Sequence, residues 1–199
     1  ASNSYGCIDS ISKVGSVKPR PNVNFTAVNQ CLGTGITFNN TSGILTGTMT
    51  YNWEMGDATT YTNLTSPMHT YMLDGKYEVL LEATSDFGCK DTILDSVEVF
   101  QIPYVNFGDT IRTCSSYFNL DAANVGSSYI WSNNLTSKAI LVTSSGKYFV
   151  EITSVNGCKF YDTVVVILNS LVQPNLGIDR AVCDGVLLNS YQNGSSYLW

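Results

Sequence analysis

Six cysteines, one histidine and two neighbouring carboxylates carry most of the reactive chemistry in this sequence. They are Cys7, Cys31, Cys89, Cys114, Cys158 and Cys183, His69, and the pair Glu54 and Asp57 in the stretch YNWEMGD. Cysteines can close disulfides or hold a metal, and a histidine beside carboxylates can move protons. No Cys-x-x-Cys spacing occurs, which favours disulfides over zinc. No Ser-His-Asp order, phosphate-cradling glycine loop or paired His or Cys ligands are present either, so no catalytic residue and no cofactor is expected. His69, in SPMHTYML, reads as a structural histidine on a strand, holding the turn near Trp53. Asp57 reads as the cap of its own turn, its side chain bonded to backbone.

Composition describes the elements that must position these groups. Hydrophobic residues make up 44% of the 199 residues and charged residues only 13%, with a net charge of −6. Nucleic acid is therefore not an expected partner, and an anionic membrane surface would repel the chain. The longest apolar run, TVVVIL at 163–168, is far too short to insert in a bilayer, and no signal peptide is visible. Tyr, Thr, Ser, Asn, Val and Gly dominate, the composition of short strands joined by polar turns. The chain is expected to be all-β.

Internal repeats set the organisation. Residues 1–25 overlay residues 83–107 without a gap, sharing Gly-Cys-x-Asp-Ser/Thr-Ile, a valine-rich strand, a proline and Val-Asn-Phe. A third copy follows as VNGCKFYDTVVVILNSLVQPNL at 155–176, and GSSYIW at 126–131 returns as GSSYLW at 194–199. This phase predicts the end of a preceding unit at 1–20, complete units at 21–101 and 102–170, and the first half of a further unit at 171–199. The chain is expected to begin and end inside units of a longer array.

In the first complete unit, NVNFTAV, GITFNN, TMTYNWEM, TTYTN, MHTYML, KYEVLLEAT and DTILDSVEVF read as seven strands of a Greek-key sandwich. Period two puts Tyr51, Trp53 and Met55 on one face, and Tyr77, Val79, Leu81 and Ala83 on another. The second unit offers YFNLDAA, SYIWSN, AILVTS, KYFVEITS and DTVVVIL, a smaller sandwich built around Trp131. Trp53, Trp131, Tyr77 and Tyr148 are the expected core residues.

The order YNWEMGD, SPMHTY, DGKYEVLLEATSDFG resembles the PKD domain signature over residues 21–101, with Glu54, Met55 and Ala58 standing where Asp, Phe and Gly are usual. Ala58 makes the turn after Asp57 less typical. The second unit is similar to the immunoglobulin-like repeats that accompany PKD domains in very large secreted proteins of the Bacteroidota. What the resemblance implies is an extracellular or cell-surface protein exported by the type IX system, of the gliding-motility adhesin kind. It also implies a weak calcium candidate at Glu54 and Asp57 with Asn39 or Asn40 nearby, although two or three oxygens do not make a calcium site. Asp-Ser/Thr-aliphatic triplets resemble an O-glycosylation motif of that lineage and mark Ser10, Thr92, Ser96, Thr110 and Thr163; such triplets also simply begin strands. Asn-x-Ser/Thr sequons at Asn24, Asn39, Asn40, Asn63, Asn134 and Asn193 are expected by chance at this composition.

The cysteines fall into two classes by repeat phase. Cys31, Cys114 and Cys183 precede the second strand of a unit, whereas Cys7, Cys89 and Cys158 lie in the closing hairpin. Pairing within a unit would join Cys31 to Cys89 and Cys114 to Cys158. In a sandwich whose strands reverse direction, these positions start at opposite ends, roughly 20 Å apart, whereas a disulfide needs Cα atoms within about 7 Å. A bridge from Cys31 to Cys158 across the junction of the two units is therefore favoured, with the within-unit pairing and free thiols as alternatives. Cys7, Cys89, Cys114 and Cys183 would await partners in further domains.

The function expected is a structural or adhesive segment of a large extracellular repeat protein, a stiff surface filament or stalk. Its partners would be neighbouring domains of the same chain, other copies in a filament, and a surface polysaccharide or substratum. A non-catalytic spacer or polymer-binding region of a secreted hydrolase is the alternative, favoured by an exposed aromatic row, with Tyr61, Tyr104 and Tyr117 the residues to inspect. A self-assembling sheath subunit is a third.

Overall fold

The computed structural model of the protein describes residues 4–5 and 10–169. The expectations for Cys7, Asp9, Cys183, Asn193, Trp199 and the half unit at 171–199 lie outside the described residues. Every regular element among the described residues is a strand; none is a helix able to cross a membrane. The chain divides into two compact units, 1–102 and 103–199.

The first unit contains β1 (Phe25–Thr26), β2 (Gln30–Cys31), β3 (Ile36–Thr37), β4 (Asn39–Asn40), β5 (Met49–Glu54), β6 (Thr60–Thr62), β7 (Met68–His69), β8 (Gly75–Ser85) and β9 (Lys90–Phe100). Its main sheet has the order β2-β9-β8-β5-β6, and two short ladders, β1–β4 and β3–β7, complete the fold. Alternation decides the faces as expected: Trp53, Met55, Val79, Leu81 and Ala83 are fully buried. Phe25 meets Trp53 edge-on at 5.3 Å between ring centroids, and Phe38 tilts against it at 6.0 Å. Burying each such side chain contributes about 1.5–3 kcal/mol, so the face built on Trp53 holds the short ladders to the main sheet.

The second unit contains β10 (Thr110–Thr113), β11 (Phe118–Asp121), β12 (Ser128–Trp131), β13 (Ala139–Val142), β14 (Gly146–Thr153) and β15 (Lys159–Leu168). A four-stranded sheet of order β10-β15-β14-β12 and the pair β11–β13 enclose Trp131 with Leu120, Ile140, Val142, Val150, Ile152, Val164 and Val166. Both units are all-β sandwiches. Tyr77 and Tyr148 are half-buried rather than central, and each donates its hydroxyl to the carbonyl four residues upstream, Leu73 and Ser144, at 2.9 Å.

The structure departs from the seven expected strands at matching places. GITFNN breaks into β3 and β4, and β2 and β10 were not legible as strands at all. Each runs parallel to the end of its unit's last strand, Cys31 opposite Phe100 and Thr113 opposite Leu168. They are the same element of the repeat, and both lead straight to a cysteine.

Candidate functional site

The turn after β5 places Asp57 where a carboxylate can reach two partners. Gly56 takes φ +84°, and a Cβ there would lie 2.6 Å from the backbone oxygen of Glu78, so only glycine fits. Asp57 Oδ1 then accepts the Thr59 amide at 3.0 Å, and Oδ2 lies 2.8 Å from His69 Nε2. An ionised carboxylate only accepts, so Nε2 carries a proton; in the neutral ring Nδ1 then accepts from the Tyr61 hydroxyl 3.0 Å away. His69 is only 8% exposed, packed edge-on against Tyr71 at 4.5 Å. Burial raises the Asp57 pKa, but the hydrogen bonds from His69 and Thr59 outweigh it and hold the carboxyl below its ordinary value. Burial also pushes the Tyr71 phenol up, consistent with its hydroxyl donating to the Met55 carbonyl at 2.8 Å. Both ring nitrogens of the histidine are thus engaged in holding the Gly-Asp turn to β6 and β7.

Glu54 does not join Asp57. It is exposed, paired in register with Thr60 and Leu80, and lines a shallow depression with Gly56, Lys76, Glu78, Leu80 and Leu94. Asn40 Oδ1 accepts the Ser42 amide at 2.9 Å. Among the described residues, no group of three or more His, Cys, Asp or Glu side chains could hold a metal ion.

The cysteine hairpins of the two units match bond for bond. Cys89 donates its amide to Ser85 Oγ and Cys158 its amide to Ser154 Oγ, each at 3.1 Å. The carbonyls of the same cysteines accept Ser85 N and Ser154 N, and Gly88 and Gly157 return to the carbonyls of Ser85 and Ser154. Even the cross-strand ion pairs repeat, Lys90 with Glu82 at 2.8 Å and Lys159 with Glu151 at 2.5 Å. Yet Cys31 and Cys158 are disulfide-bonded, whereas Cys89 and Cys114 carry free thiols.

Those free thiols correct the within-unit alternative, Cys31 with Cys89 and Cys114 with Cys158, and strand length gives the reason. Cys31 stands opposite the last residue of β9, and Cys89 precedes the first; ten steps of about 3.3 Å put them on the order of 30 Å apart. Cys114 and Cys158 flank opposite ends of β15 in the same way.

Of the candidate modification sites, Ser10, Thr92, Thr110 and Thr163 are exposed and Ser96 is half-buried. The aspartates before two of them have bonds of their own: Asp95 Oδ1 accepts the Ser96 amide at 2.7 Å and Asp162 Oδ1 the Thr163 amide at 2.8 Å. Asp162 also accepts the Phe107 amide, tying the chain leading into the second unit to β15.

The aromatics singled out from sequence do not form a row. Tyr61 is bound to His69 and Tyr104 packs on Phe160 at 5.2 Å; Tyr117 is 57% exposed at the start of β11. The sheet of the second unit instead exposes Ile130, Phe149 and Tyr161 on adjacent strands, Phe149 in register with Thr163 and Tyr161 with Glu151. Neither aromatic stood out because each sits in a run whose alternate residues fill the core.

A search of curated proteins finds no match to the chain. Among solved structures, the PKD1 domain of Vibrio anguillarum Epp is similar at 25% identity, covering 42% of this chain and 96% of its own, with a TM-score of 0.39. The PKD1 domain of the Vibrio cholerae metalloprotease PrtV is similar at 28% identity, covering 42% and 98%, with a TM-score of 0.37. Clostridium thermocellum CbhA fibronectin(III)-like modules are 12% identical over 75% of this chain and 95% of theirs, with a TM-score of 0.39. Residues 17–99, which hold the Trp53 strand, the Asp57 turn and His69, match the family model of the PKD domain.

Proposed function

We propose that this chain is a structural and adhesive segment of a large extracellular repeat protein, a PKD unit followed by an immunoglobulin-like unit in a stiff surface stalk. The observation that carries the reading is the repeated cysteine pair: a hairpin cysteine at the leading end of each unit and a second cysteine beside the last residue of its final strand. Cys31 and Cys158, the trailing cysteine of one unit and the leading cysteine of the next, are both disulfide-bonded. Phe100, opposite Cys31, precedes by four residues Tyr104, which packs on Phe160 near Cys158. Cys31 with Cys158 is the pairing we propose for these two bonded cysteines, and the four residues from Phe100 to Tyr104 span at most about 14 Å. Such a bridge beside a short linker containing Pro103 would resist pivoting between units.

The groups with catalytic potential have structural work instead, His69 and Asp57 holding a turn. The surface-adhesin and type IX export assignments rest on the resemblance, as does glycosylation of Ser10, Thr92, Ser96, Thr110 or Thr163. Non-reduced peptide mapping together with small-angle scattering tests the stalk. A Cys31–Cys158 peptide, and a maximum dimension that becomes more dispersed on reduction, is the expected result; a Cys31 linked elsewhere, or scattering unchanged by reductant, overturns it.

One observation favours a second reading, a polymer-binding region: the exposed Phe149 and Tyr161 on one sheet face. Retardation of the chain in a gel containing neutral polysaccharide, abolished by F149A and Y161A, would support it. Equal mobility with and without polysaccharide would exclude it for the polymers tried.

A further inference from the structure

We infer that Cys89 and Cys114 are covalent coupling points for further units of the same repeat: Cys89 bonds a trailing-end cysteine of a preceding unit, and Cys114 bonds a hairpin cysteine of a following one. The inference rests on the tandem-stalk reading and assigns partners to the two thiols that reading leaves unused.

Two independent observations carry it. The first is internal comparison. Cys158 occupies a hairpin with the same hydrogen bonds as that of Cys89, and Cys31 ends a short parallel ladder on β9 much as Cys114 directly follows the one on β15. Both counterparts are disulfide-bonded, whereas Cys89 is half-buried and free and Cys114 exposed and free. The hairpin position is bonded in one copy of the repeat and free in the other although its backbone hydrogen bonds are the same, so what Cys89 lacks is a partner.

The second observation is the path of the chain. Arg20 donates to the Lys90 carbonyl at 3.0 Å and to Asp91 at 2.8 Å, and the Lys18 ammonium sits 4.5 Å from the centre of the Phe87 ring. The segment leading into the first unit therefore runs along the Cys89 hairpin, as Tyr104 runs along the Cys158 strand at Phe160. At the other end, Asn169 donates its amide to the Thr113 carbonyl at 2.8 Å, so the chain leaves the second unit beside Cys114. The described chain therefore passes one free thiol on entering the first unit and the other on leaving the second.

The chemistry is thiol–disulfide exchange. Each coupling joins two thiols in one S–S bond, and the two electrons and two protons pass to a disulfide oxidant, a dithiol oxidoreductase or a small disulfide, whose own S–S bond opens to two thiols. Formation and persistence of the bond require an oxidising compartment.

The test is a peptide map of the natively produced protein, alkylated with N-ethylmaleimide at harvest and digested without reduction. Cys89 is expected in a cross-link to a cysteine that follows an opening strand, and Cys114 in a cross-link to a Gly-Cys hairpin peptide. C89S and C114S variants should each leave the corresponding partner cysteine alkylated. Comparing the intact protein on reducing and non-reducing gels separates a link within one polypeptide from a link to a second copy. Recovery of Cys89 and Cys114 as maleimide adducts, alongside an intact Cys31–Cys158 peptide, overturns this inference and leaves the stalk reading standing. A Cys31 peptide joined to any cysteine but Cys158 overturns the stalk junction itself.

Discussion

Asp57 Oδ2 lies 2.8 Å from Nε2 of His69, and through that bond the Gly-Asp turn after β5 is held to the short strand β7. Removing the carboxylate strands a buried N–H. Asp57→Ala is expected to lower stability by about 1–3 kcal/mol, read as a drop in the urea midpoint with an unchanged slope. Asp57→Asn keeps an acceptor and should cost less.

The same bond gives a pH signature. The folded state holds the Asp57 pKa below its ordinary 3.8, so the folded carboxyl binds a proton less readily than the unfolded one. Its contribution is fully present above the unfolded value and is lost as the pH falls through the lower folded value. Acid unfolding of the wild type should therefore show a stability loss below pH 3.8 that Asp57→Asn lacks; parallel acid profiles would contradict this.

Ala58 adopts φ +70°, the left-handed region. An L-residue there costs about 1–2 kcal/mol, partly offset in glycine by its larger entropy loss, so Ala58→Gly is expected to stabilise the chain by about 0.5–1 kcal/mol. Gly56→Ala, two residues earlier, should do the opposite, because its Cβ would meet the Glu78 carbonyl. Thermal unfolding of the two variants side by side checks both signs.

Trp53 and Trp131 centre separate cores and each donates its indole N–H to a loop carbonyl, Leu64 at 2.9 Å and Ser137 at 2.8 Å. Truncation of either to alanine is expected to cost about 3–5 kcal/mol. Hydrogen exchange resolved by peptide should show the loss of protection concentrated in the unit that carries the substitution.

Thiol accessibility distinguishes the four described cysteines. When residues 1–199 are produced by themselves, without the adjoining units to which Cys89 and Cys114 are inferred to bond, those two thiols should label with a maleimide in the folded, non-reduced chain, whereas Cys31 and Cys158 should label only after reduction. Labelling of Cys158 without reductant would contradict its bonded state.

Much of the fold was legible because period-two alternation is a local property. Tyr51, Trp53 and Met55 announce a buried face from five residues of sequence, and the Gly-Cys repeat announces two hairpins that share the same serine, glycine and cysteine bonds. The elements that escaped notice are β2 and β10. Each pairs through backbone groups with its unit's last strand, and a backbone amide carries no mark of the side chain above it, so ladders of two and four residues leave little pattern to read.

The site divides along the same line. The order of motifs was enough to place His69 near the Trp53 strand and to separate leading from trailing cysteines, since repeat phase is visible in one dimension. Tyr61 as the third member of the Asp57–His69 set and the length of β9 between Cys89 and Cys31 were decided by the tertiary structure alone. Sequence determines which residues alternate and which segments recur, because side-chain burial is written residue by residue. Which distant segments meet depends on strand pairing between backbones, and that exists only once the sheets have formed.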